Sequence, residues 1–231
     1  MIRITWLGHS TFQLGFSSGQ VLLTDPWIQG NPMYPKGYKI GKVDAITLSH
    51  GHFDHVNDVI PLANESRPKV VGIFELTSWL ETKGVKNTVG MNKGGTVDLG
   101  FVKVTMTHAF HSSSINDGPQ LLYGGEAAGY VFTDNDGRTA YFAGDTAVFG
   151  DMVLIGDLYK PEIAFLPIGD HFTMGPHQAA YAARMLKVKK VIPMHYGTFP
   201  ALTGRPEMLA DELKNDNIEV WTLKQGEPVE W

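Results

Sequence analysis

Four apolar runs in this chain end in the same way. Asp44-Ala45-Ile46-Thr47-Leu48 leads to His50, Val102-Lys103-Val104-Thr105-Met106 to His111, Thr139-Ala140-Tyr141-Phe142-Ala143 to Asp145, and Val191-Ile192-Pro193-Met194 to His195. Gly or a small polar residue follows each of them closely. Short runs rich in β-branched and aromatic residues read as buried strands. Strands that end in imidazoles and carboxylates constrain the fold, because a rigid site forms only where sheets gather those ends at one edge.

The densest of these ends is Ser49-His50-Gly51-His52-Phe53-Asp54-His55, with four side chains able to bind a metal within six residues. Along an extended segment, residues two apart point the same way, so His50 and His52 can converge on one point. Gly51 lets the backbone turn between them with no side chain in the way. Asp54 and His55 fall in the following turn and can aim at a neighbouring point, so one strand end could serve two adjacent ions. A lone histidine is more often a surface or satisfied core residue than a ligand. Three with an aspartate in so short a loop gain little as packing and lose hydration when buried, which favours a metal site.

With 231 residues and 43% hydrophobic content, a single domain spanning 1–231 is expected. There is no cysteine, so disulfides and thiolate sites are excluded and any metal rests on histidine and carboxylate. The segment Met1–Trp6 reads directly as a strand, without the basic stretch and apolar core of an export signal. No apolar run approaches the roughly 20 residues of a membrane span. The expectation is a cytoplasmic protein. A net charge of −5 argues against a broad nucleic-acid surface.

Antiparallel strand signals open each half of the chain. Residues 2–16 read as two strands broken at Gly8-His9, and Val21–Thr24 as a third that ends at Asp25-Pro26. In the second half, 96–99 and 102–106 alternate as strands, and 129–133 and 139–143 flank the hairpin signal Asp134-Asn135-Asp136-Gly137. Strands and helices then alternate. Lys69–Ile73 precedes a helix over 75–83 that stops at Gly84, Ile163–Leu166 precedes one over 178–187, and Val191–Met194 precedes one over 206–215. Residues 219–223 read as a closing strand. Asn57 is expected to cap a short helix whose length Pro61 limits. Residues 27–42 read as a long loop, and a Gly-containing loop follows Ser114 as far as Glu126. Two mixed sheets packed face to face with helices outside, an α/β fold in four layers, account for this order.

Taken in order, His50-Gly51-His52-Phe53-Asp54-His55, His111, Gly144-Asp145-Thr146 and His195 resemble the signature of the metallo-β-lactamase superfamily. More narrowly, Trp6-Leu7-Gly8-His9-Ser10, Thr24-Asp25-Pro26, Leu166-Pro167-Ile168-Gly169 and His195-Tyr196-Gly197-Thr198-Phe199 are similar to its branch of metal-dependent hydrolases. That branch also contains the ascorbate-phosphate lactonases and the N-acyl-phosphatidylethanolamine phospholipase D. The resemblance implies an αββα sandwich and two divalent ions, zinc foremost, with manganese, nickel or iron as alternatives. It assigns His50, His52 and His111 to one ion, Asp54, His55 and His195 to the other, and Asp145 to both as a bridge. It further implies hydrolysis of a small molecule, in which a hydroxide bridging the ions attacks an ester, lactone or phosphoester bond and Asp54 orients it. The family includes homo-oligomers.

Some assignments stay open. His108 competes with His111, but Ala109-Phe110-His111 matches the Ala-x-His of the related phospholipase and favours His111. His9 is expected near the metals or hydrogen-bonded between strand ends. Asp25 is a candidate to hold a ligand histidine through its other ring nitrogen. His171 is a candidate for substrate contact, whereas His177 reads as an exposed first-turn residue. Trp27, Met33, Tyr34, Phe110, Phe172, Tyr196 and Phe199 could line a partly apolar pocket, and each is equally a core candidate. Three other readings compete: a phosphodiesterase or nuclease, which would want a basic flank that the sequence lacks; a redox diiron protein, whose relatives carry His-x-Glu where this chain has His52; and a non-catalytic binding module, which would need no such ligand set.

Overall fold

In the computed structural model, which describes residues 1–231, the chain divides into two units, each built on a mixed seven-stranded sheet. The first comprises 1–95, 112–127 and 223–231. Its strands β1 (Ile2–Trp6), β2 (Phe12–Phe16) and β3 (Val21–Thr24) form an antiparallel meander. Period-two burial sets the register: Phe12, Leu14 and Phe16 turn inward and Gln13 and Gly15 do not. The sheet then becomes parallel through β4 (Ala45–Thr47), β5 (Lys69–Ile73) and β6 (Thr88–Met91). Parallel neighbours need crossovers. A long loop makes the first, the one-turn helix α1 (Phe53–Val56) with α2 (Val59–Ser66) the second, and α3 (Phe74–Thr82) the third. Leu76 and Leu80, one turn apart, bury α3 on β5 and β6, each worth about 1.5–3 kcal/mol.

The second unit, 96–111 and 128–222, repeats this plan. Strands β7 (Thr96–Asp98) and β8 (Val102–His108) come first, and the hairpin β9 (Ser114–Asp117) and β10 (Gln120–Tyr123) interrupts them as part of the first unit. Antiparallel β11 (Ala128–Asp134) and β12 (Thr139–Phe142) follow, with Tyr130, Phe132 and Phe142 in the core. Helices α4 (Met152–Tyr159), α5 (Pro176–Leu186) and α6 (Pro206–Leu213) cross to the parallel strands β13 (Ile163–Pro167), β14 (Lys190–Met194) and β15 (Glu219–Val220). Buried Ala179, Ala180, Ala182 and Ala183 let α5 lie close to β13. The last strand, β16 (Pro228–Glu230), pairs with β1 in the first unit. No helix is long and apolar enough to cross a membrane.

The order of antiparallel then parallel strands in each sheet is the one expected, and several local readings are corrected. Pro61 stands in the first turn of α2, where its missing N–H costs nothing, so it does not limit the helix. Asn57 closes α1 and caps nothing through its side chain. The loop expected between Ser114 and Glu126 is instead the hairpin of β9 and β10, joined by Gly118-Pro119 with Gly118 at φ +59°. The closing strand over 219–223 shortens to Glu219–Val220, and α4 and β6 were not expected at all.

Candidate metal centre

In the first unit β3 and β4 run parallel, so Asp25 and Ser49 leave their strands side by side. The Ser49 N–H donates to Asp25 Oδ1 at 2.7 Å and its hydroxyl to Asp25 Oδ2 at 2.6 Å. His55 Nδ1 is 2.8 Å from the same Oδ2 and donates to it. With its own proton committed to Asp25, Ser49 Oγ accepts from His50 Nδ1 at 2.9 Å. Both rings therefore present Nε2 as the lone-pair nitrogen. One buried carboxylate thus orients two imidazoles. Burial pushes the Asp25 carboxyl up, and the adjacent His55 and Ser49 draw it back.

His50 Nε2 faces His52 Nδ1 at 2.9 Å. The ligating atoms of His9, Asp54 and His55 lie within 4.8 Å of one another, with His55 Nε2 3.9 Å and His9 Nε2 3.1 Å from Asp54 Oδ2. The loop is held from outside by the β9–β10 hairpin. Gly51 N–H donates to Ser113 Oγ at 3.1 Å, and a β-carbon on Gly51 would lie 2.9 Å from Ile115 Cγ1 and the Ser114 oxygen. Trp79 on α3 and Lys83, just beyond its end, hold Asp117 of that hairpin at 3.1 and 2.7 Å.

In the second unit Asp145 follows β12 after the turn at Gly144, φ +60°. Its Oδ2 lies 2.9 Å from His195 Nε2 and 3.6 Å from His111 Nε2. His195 leaves β14 in the left-handed region, φ +55°, and a side chain on Gly169 would run into its carbonyl oxygen. Thr146 ties the neighbouring loops to Asp145. Its Oγ1 accepts from Phe110 N–H at 2.9 Å and its carbonyl from Met174 N–H at 3.0 Å, while Ala147 N–H donates to the Phe110 oxygen at 3.1 Å. His108 ends β8 with its ring edge-on to Phe110 and Phe149, centroids 6.0 and 5.2 Å away. Of His108 and His111, it is His111 whose Nε2 stands within 3.6 Å of Asp145. His171 is exposed, stacked edge-on to Phe172 at 4.4 Å, and both it and Asp170 are left-handed. His177 is exposed and paired with Glu212 at 3.1 Å. Of the candidate walls, Trp27 is core, Met33, Tyr34, Tyr196 and Phe199 are half-buried, and Phe110 and Phe172 are 65% and 54% exposed.

The donor chemistry fits divalent ions. Every candidate ligand offers nitrogen or oxygen, the set suited to zinc, manganese, nickel or iron. Two ring nitrogens at 2.9 Å, and an imidazole and carboxylate at 2.9 Å, are spacings at which a proton or a shared cation lies between the atoms. Asp25 and Ser49 supply what a ligand histidine needs at its other nitrogen. Ser49, Ser113 and Thr146 escape a sequence reading. Ser49 at least adjoins the histidine run, but nothing singles out Ser113 within Ser112-Ser113-Ser114, and Thr146 acts through backbone partners remote in sequence.

Comparison with known proteins identifies the family. The family model described as a beta-lactamase superfamily domain matches residues 20–196. A UPF0173 metal-dependent hydrolase of Solibacter usitatus is 60% identical over 230 residues, covering 100% of both chains. Another, of Koribacter versatilis, is 52% identical over 227 residues, covering 98% of this chain and 97% of that one. Igni18, a novel metallo hydrolase from the hyperthermophilic archaeon Ignicoccus hospitalis, superposes with a TM-score of 0.88 at 32% identity, over 100% of this chain and 99% of that one. The chain belongs to the β-lactamase superfamily and has the metallo-β-lactamase fold. Its full-length relatives place it, within that superfamily, among the UPF0173 metal-dependent hydrolases.

Proposed function

We propose that this chain is a dinuclear metal-dependent hydrolase of small-molecule esters and lactones, folded as one domain over 1–231. His50, His52 and His111 would hold one ion, Asp54, His55 and His195 the other, and Asp145 would bridge them. The observation that carries the reading is the position of Asp145. Its Oδ2 stands 2.9 Å from His195 and 3.6 Å from His111, histidines assigned to different ions, and an oxygen so placed can serve both.

Bound divalent ions would supply a nucleophile from water near neutral pH and stabilise the negative charge that develops on the attacked group. The protein's own work is positional. Asp25 and Ser49 fix the rings of His50 and His55, and Asp54 would orient the nucleophile that the ions supply. No protein nucleophile takes part. Substrate chemistry is favoured by what surrounds Asp145. Phe110 and Phe172 are exposed on loops tied to Thr146, and no Lys or Arg stands in 108–114, 143–151, 168–178 or 195–204. A phosphoester would gain from a cation there, whereas an uncharged ester or lactone with an apolar group gains from the phenylalanines. His171, beside Phe172, would touch the substrate.

Metal analysis of the purified chain with a panel of aryl esters, lactones, thioesters and phosphodiesters tests this. Two equivalents of transition metal are expected, with ester or lactone turnover that Asp145→Ala abolishes while leaving the fold intact. Full metal occupancy with no turnover across the panel would overturn the proposal.

A further inference from the structure

We infer that His9 is a positioning residue for Asp54, holding that carboxylate in the orientation from which it serves its ion. The inference rests on the ligand assignment above.

The turn that carries His9 is built at a cost. Leu7 N–H donates to the Thr11 oxygen at 2.9 Å and Thr11 N–H to the Gly8 oxygen at 3.0 Å, closing a tight turn straight after β1. Gly8 has φ +94°, and a β-carbon there would meet the Met33 backbone at 2.9 Å. His9 itself is left-handed, φ +56°, a conformation that residues with a full side chain seldom adopt. Trp6 Nε1 donates to the His9 oxygen at 3.0 Å and holds the backbone there. A buried tryptophan, a glycine and a strained histidine thus cooperate to send one ring inward.

That ring is fully buried and fixed on two sides. It meets Trp27 edge-on at 5.0 Å and His55 at 5.4 Å, so its plane is set by neighbours before any polar contact forms. Its Nε2 then lies 3.1 Å from Asp54 Oδ2. Burying an imidazole costs hydration that packing alone does not return, and an N–H donated to a carboxylate offsets that cost. A bond from so rigid a donor fixes the carboxylate as well, and Asp54 Oδ2 is the atom 3.9 Å from His55 Nε2. The arrangement on Asp54 parallels that of Asp25 on His55: in each, a buried group holds a candidate ligand by one atom.

Zinc titration of the full chain against a chromophoric chelator tests the role. His9→Phe keeps the ring packed on Trp27 and removes only the donor, and His9→Gln restores an N–H. The expected result is a loss of about 10–100-fold in affinity for one of two zinc equivalents in His9→Phe, with most of it recovered in His9→Gln. In the double variant with Asp54→Ala, His9→Phe should add nothing to the loss from Asp54→Ala alone, because the two act as a unit. A urea midpoint for each variant separates lost affinity from lost fold. Wild-type affinity in His9→Phe, or equal losses in His9→Phe and His9→Gln, would overturn the inference while leaving the ligand assignment standing. An Asp54→Ala chain that still binds both equivalents at full strength would instead overturn the ligand assignment, and this inference with it.

Discussion

Asp25 accepts three hydrogen bonds, two from Ser49 and one from His55, and all three need an oxygen. An amide at this position offers one acceptor and one N–H₂, so a donor would face a donor at Ser49 or at His55. Asp25→Asn is therefore expected to lower zinc affinity by about 10–100-fold, read by chelator competition, in a chain that still folds. Gly169 fails for a steric reason. Any side chain there meets the His195 carbonyl, and the strand end that carries His195 must shift. Gly169→Ala should lower stability by about 1–3 kcal/mol in a denaturant titration and lower hydrolytic activity more than stability alone explains. Unchanged stability would mean that the strand end yields freely. At this scale the sequence was informative about which side chains gather, because crowded imidazoles stand out from a packed core. It was silent about Ser113 and Thr146, whose partners are set by loops meeting in space.

Two elements are fastened at their ends by charge. Arg184 on α5 bonds Asp216, just beyond α6, at 2.8 Å, and Trp79 on α3 with Lys83, just beyond it, bonds Asp117 of the β9–β10 hairpin. The Arg184 bond holds the Asp216 carboxyl below the usual range, and the Lys83 and Trp79 bonds do the same for Asp117. A lowered folded value means that the contribution is complete above the unfolded carboxyl value, about pH 4, and disappears as pH falls through the folded one. Both pairs are partly exposed, so solvent screening keeps the effect small. Amide exchange at the end of α6 should be faster in Asp216→Asn than in wild type near neutral pH. That difference should vanish in strong acid, and one that persists there would rule out the charge pair as its source. The same scale shows where local patterns mislead. The stretch from Ser114 to Glu126 lacks a clean alternation and reads as a loop, yet Ile115 turns inward and the hairpin forms against α3 and the Gly51 loop.

For the whole molecule, a ligand that binds the folded chain and not the unfolded one stabilises it by mass action, about 2.7 kcal/mol at a hundredfold excess over the dissociation constant. If the proposed centre forms, zinc should raise the thermal midpoint, a chelator should return it, and Asp145→Ala should remove most of the rise although Asp145 is remote in sequence from the histidine run. A rise that survives Asp145→Ala but not His50→Ala would mean that the first unit binds its ion alone. Such a result would reduce the proposal to a single-ion site.

The sequence by itself determined the sheets and the residue types offered at the strand ends. Hydrophobic period, turn residues and strand-end histidines are local signals, and the change from antiparallel to parallel strands can be read from the spacing between them. Tertiary structure decided whatever depended on which strand end meets which. His111 stands beside Asp145 because β8 runs on to His108 and the chain then turns at Phe110, clamped to Thr146. Asp25 reaches His55 because β3 and β4 are parallel neighbours, and His9 reaches Asp54 because a strained turn points it there. These are contacts between segments far apart in the chain, whose geometry is fixed by strand register and close packing, and no local pattern of residues encodes them.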